Sequence, residues 1–198
     1  MKNPQTSSKL PARFRRAASL LFGLCICLSL AATTAAQKRE HLTPEEIELV
    51  RDNQELDART NVFIKAAERR LLAILNPAES AKNAPAEKEK WGEVKGTRTQ
   101  LFYDISKILD EAVVNVDDVA EHNPESPLLR KSLYMLSEAT GRMLPQLTKL
   151  REGAASEAEA DQLDRALETA REITDAAKER GVTAEDLKVK AKTAKKND

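Results

Sequence analysis

The stretch TRTQLFYDISKILDEAVVNVDDVA, from Thr97 to Ala120, decides the fold class of this 198-residue chain. At about 100° per residue its apolar side chains share one arc of roughly 140°, and most of its charged side chains lie outside that arc. An apolar face this wide needs partners on more than one side, so it predicts the central helix of a bundle. The arc contains Leu101, Phe102, Ile105, Ile108, Leu109, Ala112, Val113, Val116, Val119 and Ala120.

Residues 1–36 have the composition of an export signal. A basic start without acidic residues precedes an apolar core, LLFGLCICLSL from Leu20 to Leu30, and the small residues AATTAA. This order predicts a signal peptide cleaved after Ala36, and therefore a periplasmic or extracellular protein. An uncleaved signal anchor that tethers the same domain to the membrane is the alternative. Residues 37–42 are predicted to be a flexible N-terminus of the mature chain.

The charge and the cysteine positions narrow the possible functions. The whole chain has 32 basic and 32 acidic residues, and five of the basic ones lie in the predicted signal. The mature chain therefore keeps 27 basic and 32 acidic residues, a net charge of −5 over 162 residues. A mildly acidic protein is not expected to bind nucleic acid. Both cysteines, Cys25 and Cys27, leave with the signal, so no disulfide and no thiol nucleophile is expected.

The composition after the signal is typical of long helices with solvated outer faces, since 32% of the whole chain is charged and only 4% is aromatic. We therefore predict one all-α domain over residues 43–181, an elongated antiparallel helical bundle of about four helices. A 20-residue connector with two prolines, 77–96, is expected inside it, and a short helix and a lysine-rich tail over 182–198. The helices are predicted from Thr43 to Asn76, along the central stretch, from Pro127 to Glu152 with a kink or break caused by Pro145, and from Ser156 to Gly181.

The predicted first helix carries a possible interaction seam. Leu49, Leu56 and Phe63 recur at seven-residue spacing, which is typical of a coiled-coil position. Trp91, the single tryptophan, either pins the connector onto the bundle or forms an exposed platform for a ligand. The seam predicts a protein partner or self-association. Membrane contact is expected only through an uncleaved anchor or weak attraction of the lysine tail.

The sequence offers little that resembles catalytic or cofactor chemistry. Asp118 and His122 are the candidate metal ligands because they share a helix stripe, but Val119 stands where a carboxylate-bridged bundle needs a glutamate. The mature chain has no Cys-x-x-Cys-His haem motif, no Gly-x-Ser-x-Gly and no glycine-rich phosphate loop. We therefore predict no catalytic residues, no cofactor and no enzyme activity.

One short motif resembles a known family. Leu42 to Glu46 reads LTPEE, which is similar to the LTxxQ motif of small, helical, periplasmic stress chaperones, with Glu46 in place of the glutamine. A second copy of the motif is missing. The resemblance implies a chaperone-like protein that holds unfolded clients on a concave apolar surface.

Together these features predict an exported, non-enzymatic helical protein, a protein-binding or structural module of the cell envelope. A metal-binding helical bundle and a periplasmic chaperone-like protein are the alternatives.

Overall fold

The computed structural model describes residues 39–189, and every regular element in that part of the chain is a helix. The predicted all-α class is therefore confirmed. The predicted signal peptide and the end of the lysine tail lie outside the described residues. The described helices belong to one compact unit, which begins at Glu40. They are α1 (Pro44–Asp52), α2 (Leu56–Leu75), α3 (Pro77–Trp91), α4 (Arg98–His122), α5 (Leu128–Glu152), α6 (Glu157–Glu179) and a 3-10 helix (Ala184–Lys188).

Helix α4 coincides with the opening stretch, where the sequence predicts a helix. It begins with a capping box, in which Gln100 N donates to Thr97 Oγ1 at 3.3 Å and Thr97 N donates to Gln100 Oε1 at 2.8 Å. Its predicted inward face is confirmed, because the side chains at the middle of the arc are fully closed to solvent. These are Phe102, Ile105, Ile108, Leu109 and Ala112.

Helices α2 and α6 each pack against both α4 and α5. Side-chain pairs show the direction of the α2–α5 contact. Lys131 Nζ lies 2.6 Å from Asp57 Oδ2, and further along both helices Arg142 Nη2 lies 2.9 Å from Glu68 Oε1. Because both sets of residue numbers increase together, α2 and α5 run in the same direction.

Helices α4 and α6 also run in the same direction. Arg98 Nε lies 3.3 Å from Glu159 Oε2. Further along both helices, Thr169 Oγ1 donates to Asp110 Oδ1 at 2.9 Å. The predicted antiparallel arrangement therefore does not describe the α2–α5 and α4–α6 contacts.

The predicted first helix, Thr43 to Asn76, is wrong in one respect, because the structure divides it into α1 and α2. Asn53 ends α1, since both its backbone N–H and its Nδ2 donate to the Leu49 carbonyl, at 3.1 and 2.7 Å. Arg59 Nε then donates to the Asn53 carbonyl at 3.1 Å and holds the bend. At about 1.5 Å per residue, a helix from Thr43 to Asn76 would be about 50 Å long, whereas α2 has 20 residues and is about 30 Å long.

Two other local predictions also change. Most of the predicted connector 77–96 is helix α3, because the Asn76 side chain accepts from Glu79 N at 3.2 Å and Pro77 occupies the first helical position. Pro145 lies inside the continuous helix α5, so the predicted break does not occur. Within the described residues, no helix is long and apolar enough to cross a membrane.

Candidate functional site

The predicted interaction seam is largely covered by the chain itself. Leu56 is 6% exposed and Phe63 is fully buried, and both belong to the hydrophobic core. Leu49 and Trp91 are half-buried. A partner that docks along the whole seam would have to displace core packing, so binding at Leu49 and Trp91 stays a prediction.

The candidate metal ligands Asp118 and His122 lie together at the exposed end of α4. His122 Nδ1 lies 3.3 Å from Asp118 Oδ1 and 2.8 Å from the Asp118 carbonyl oxygen, and both side chains are about 70% exposed. Among residues 39–189 there is no group of three or more His, Cys, Asp or Glu side chains that could hold a metal ion. The metal-binding alternative stays a prediction with two potential ligands.

The structure instead brings together three ionisable residues that the sequence does not predict to be neighbours. Glu46 of α1 lies against Arg69 and Arg70 of α2, and their exposed fractions are 0%, 6% and 2%. We call these three residues the ion cluster. Their burial means that the packing between α1 and α2 is not purely apolar. Buried charges are rare unless they are paired and hydrogen-bonded, so each partner in the cluster matters.

Glu46 is at the centre of the ion cluster. Its Oε1 accepts from Nη1 of Arg69 and from Nη1 of Arg70, both at 2.5 Å. Its Oε2 accepts from Thr43 N at 2.9 Å, while Thr43 Oγ1 accepts from Glu46 N at 3.1 Å. These two hydrogen bonds form a capping box at Thr43, where the sequence predicts the start of the first helix. The same carboxylate both caps α1 and fixes it to α2.

Arg69 links the ion cluster to the end of α3. Besides Glu46, Nη1 of Arg69 reaches the Trp91 carbonyl at 2.9 Å, and Nη2 donates to the Gly92 carbonyl at 2.6 Å. Its Nε donates to Glu87 Oε2 at 3.2 Å. All three nitrogens of this guanidinium therefore have partners on other segments. The arrangement fixes Arg69 as a rigid cross-link between α1, α2 and α3.

Arg70 links the ion cluster to the residues before α1. Its Nη2 donates to the His41 carbonyl at 2.8 Å, and its Nη1 also donates to the Ala66 carbonyl at 3.0 Å. Its Nε is buried and has no hydrogen-bond partner within the described part of the chain. His41 also contacts α4, because its Nε2 lies 2.7 Å from Glu111 Oε2. Residues 41 and 42, which were predicted to be flexible, are thus held in place, and Leu42 is 8% exposed.

Glu46 carries one negative charge beside the two arginines of the ion cluster, and Glu87 of α3 supplies a second one. Burial raises the pKa of the Glu87 carboxyl, but hydrogen bonds and charges of Lys65 and Arg69 outweigh burial and leave this pKa below its ordinary value of 4.5. Lys65 Nζ lies 3.1 Å from Glu87 Oε1. The ionised carboxylate is therefore the form that the folded protein favours.

Trp91 and Gly92 close the site from the end of α3. The Arg69 guanidinium carbon lies 5.8 Å from the centre of the Trp91 ring, a distance typical of a cation–π contact. The Trp91 carbonyl accepts from Thr43 Oγ1 at 2.7 Å. These contacts favour the interpretation of Trp91 as an anchor over that of a ligand platform.

Gly92 has a φ of +69° and a ψ of −177°, a backbone conformation that is essentially restricted to glycine. A Cβ at this position would collide with the Glu45 carboxylate and would lie 2.7 Å from Thr43 Oγ1. Glycine is therefore required both by the backbone and by the close approach of α1.

A cleft of about 280 Å³ lies beside the ion cluster, between α2 and α3. Its walls combine apolar side chains with Arg69, Glu87 and Glu93. Arg69 and Glu87 pair with each other, and Glu93 pairs with Lys95 at 3.1 Å. Each of the three charged side chains along the cleft thus has an ionic partner within the described part of the chain.

The large apolar side chains that remain exposed in the described part are scattered. They are Leu75 at 45%, Val114 at 63% and Leu187 at 44%, on three different helices. A chaperone of the resembled kind needs a continuous apolar surface, and these side chains do not add support for one.

Comparison with known proteins gives no family for this chain. No family model, no curated protein and no solved structure matches it. The function must therefore be argued from the geometry.

Proposed function

We propose that this chain is an exported, non-enzymatic helical protein that acts as a protein-binding or structural module of the cell envelope. Its body would be a bundle of the four long helices α2, α4, α5 and α6. The closed ring of contacts in which α2 and α6 each pack against α4 and α5 supports this arrangement.

The observation that carries the proposal is the way the ion cluster uses its charges. Glu46, Arg69 and Arg70 are almost closed to solvent, and most of their hydrogen bonds join different segments of the chain. A catalytic or ligand-binding charge needs a side that is open to its substrate. A cluster that is closed on all sides favours a structural role, which is to fix α1 and the end of α3 to the body.

The export part of the proposal rests on the sequence of residues 1–36 alone. A basic start, the apolar core from Leu20 to Leu30 and the small residues up to Ala36 have the order of a cleavable signal peptide.

The mass of the protein isolated from a cell-envelope fraction tests export and processing. We expect a chain that begins at Gln37. A membrane-bound chain that keeps residues 1–36 would establish the anchor alternative, and an intact chain found in the cytoplasm would contradict export.

Binding is tested by cross-linked pull-down from envelope extract, with the protein and a chain that lacks residues 188–198 as baits. We expect both baits to retain the same protein in a saturable amount, because the helix surfaces are shared. Loss with the shorter bait would assign binding to the lysine tail instead. No saturable partner with either bait, including a second copy of the chain, would contradict the binding role.

A further inference from the structure

The residues before the bend at Asn53 occupy a site that the rest of the chain builds. We call residues 40–52 the N-terminal arm and residues 53–55 the hinge. Leu42 of the arm enters the hydrophobic core, and Glu46 lies between Arg69 and Arg70. The His41 side chain reaches Glu111 on α4. The arm thus fills a site with an apolar pocket, two guanidiniums and a carboxylate.

The hinge has a sequence that does not oppose a helix. It reads Asn-Gln-Glu, without glycine or proline, and the seven-residue spacing of Leu49 and Leu56 continues across it. Glu55, the N-cap of α2, forms no side-chain capping hydrogen bond. The bend therefore depends on the Asn53 side chain and on the hydrogen bond from Arg59 to the Asn53 carbonyl.

If the hinge becomes helical, the arm cannot reach its own site. Helices α1 and α2 would merge into one helix from Pro44 to Leu75, about 48 Å long at 1.5 Å per residue. Glu46 would then lie about 35 Å along the helix from Arg69 and Arg70. Buried Arg70 would lose its carboxylate partner, and Arg69 would keep only Glu87, which is strongly unfavourable.

A second copy of the same chain can restore every contact that is lost. Its arm has the same Leu42, the same capping box and the same Glu46, so it fits the vacated site by identity. We propose that two copies of this chain exchange their N-terminal arms, so that Glu46 of each copy lies between Arg69 and Arg70 of the other. The exchanged pair differs from the closed monomer chiefly at the hinge.

The observed site favours a second copy over an unrelated protein. The site accommodates an extended Leu-Thr dipeptide that directly precedes the first turn of a helix. It also accommodates a carboxylate three residues after the threonine. The arm meets all of these requirements at once. A second copy of the chain would thus be the partner in the proposed binding role, and this inference rests on that proposed function.

The hinge offers variants that separate the two states. The φ of Glu55 is −71°, close to the value that proline imposes, so Glu55→Pro fits the bent hinge. In a continuous helix, proline at 55 would remove a hydrogen bond and clash with the Arg51 carbonyl. The combined change Asn53→Ala and Gln54→Ala acts in the opposite direction, because alanine favours the helix and removes the Asn53 cap.

The test is sedimentation of the purified protein and both variants over a wide concentration range. We expect a wild-type dimer at high concentration, a dimer dissociation constant raised at least about tenfold by Glu55→Pro, and one lowered about tenfold by the alanine pair. If the dimer formed only through the outer surface of the protein, neither variant would change its dissociation constant. That result would overturn the inference. Trp91 fluorescence checks that the arm site is intact in each variant.

If Glu55→Pro does not fold, sedimentation of the variant with Asn53→Ala and Gln54→Ala is enough to test the exchange of arms. An increase in dimer supports the exchange of arms, and unchanged sedimentation contradicts it. If the wild type and the alanine variant both stay monomeric, the inference is overturned. The pull-down of another protein then still tests the proposed binding role.

Discussion

Nη1 of Arg70 lies 2.5 Å from Oε1 of Glu46, although 24 residues separate them in the chain and both side chains are almost closed to water. The carboxylate also accepts from Arg69 at the same distance. Removing one partner from a buried group of this kind leaves an uncompensated charge, which costs far more than the loss of an exposed ion pair. The contact therefore determines whether α1 stays on the body.

The first prediction concerns the charge of Glu46. Glu46→Gln keeps the size of the side chain but removes the carboxylate that pairs with Arg70 and one of the two that pair with Arg69. The free energy of unfolding should therefore fall by about 3–5 kcal/mol. Glu48→Gln on the same helix is the control, because its pair with Arg51 is more than half exposed and should change stability by less than about 1 kcal/mol. Urea unfolding measures both. Equal effects for the two variants would contradict the account of the ion cluster.

The second prediction concerns Gly92. Gly92→Ala should destabilise the protein by about 1–3 kcal/mol, because a side chain at a φ of +69° is strained and collides with α1. Gly141→Ala should stabilise it by about 0.5–1 kcal/mol, since a Cβ there meets nothing within 4 Å and alanine favours the α5 helix. Thermal unfolding of both variants should give shifts of opposite sign. Stabilisation by Gly92→Ala would show that the approach of α1 to Gly92 is wrong.

The third prediction concerns pH. The pKa of Glu87 is lower in the folded protein than its ordinary value of 4.5, because Lys65 and Arg69 outweigh burial. Its stabilising effect is therefore complete above that value and is lost as the pH falls through the lowered pKa. The stability difference between wild type and Glu87→Gln should be largest at pH 7 and shrink in acid below pH 4.5.

Glu89→Gln on the exposed part of α3 is the control for Glu87 and should change the free energy of unfolding by less than about 0.5 kcal/mol at pH 7. A Glu87→Gln difference that stays constant from pH 7 into acid would mean that Lys65 and Arg69 do not stabilise the Glu87 carboxylate.

The fourth prediction concerns the central helix. Ile108→Ala should reduce the free energy of unfolding by about 2–5 kcal/mol, because Ile108 is fully buried and its loss leaves a cavity. Val114→Ala on the same helix should change it by less than about 0.5 kcal/mol, since Val114 is 63% exposed. A large effect at Val114 together with a small one at Ile108 would mean that α4 presents its other face to the core.

Local sequence patterns predicted the parts of the fold that depend on local physics. The periodicity around Ile105 and Ile108 identified the buried face of α4, and the helix starts predicted at Thr43 and Ser156 are the N-caps of α1 and α6. The bend at Asn53 was missed because none of its residues breaks a helix by itself. The Asn53 side chain and Arg59 hold the bend, and Glu46 ties α1 to residues more than 20 positions away. Periodicity does not detect either kind of contact.

The ion cluster left one signal in the sequence. Residue 70 is the next position of the seven-residue series that contains Leu49, Leu56 and Phe63, so Arg70 lies on the core side of α2. A charged residue at a core position requires a buried partner. Glu46 could not be chosen as that partner from the sequence, because its place in the capping box already explained it.

The most direct test of the central claim is a double-mutant cycle with Glu46→Gln and Arg70→Met, measured by urea unfolding. We predict a coupling of about 2–3 kcal/mol between the two positions, because each residue compensates the buried charge of the other. The exposed pair of Glu48 and Arg51, treated in the same way, should couple by less than about 1 kcal/mol. The contrary result is that the free-energy changes of the two single variants sum to that of the double variant within about 0.5 kcal/mol. Such additivity would contradict the claim that this contact holds α1 on the body of the protein.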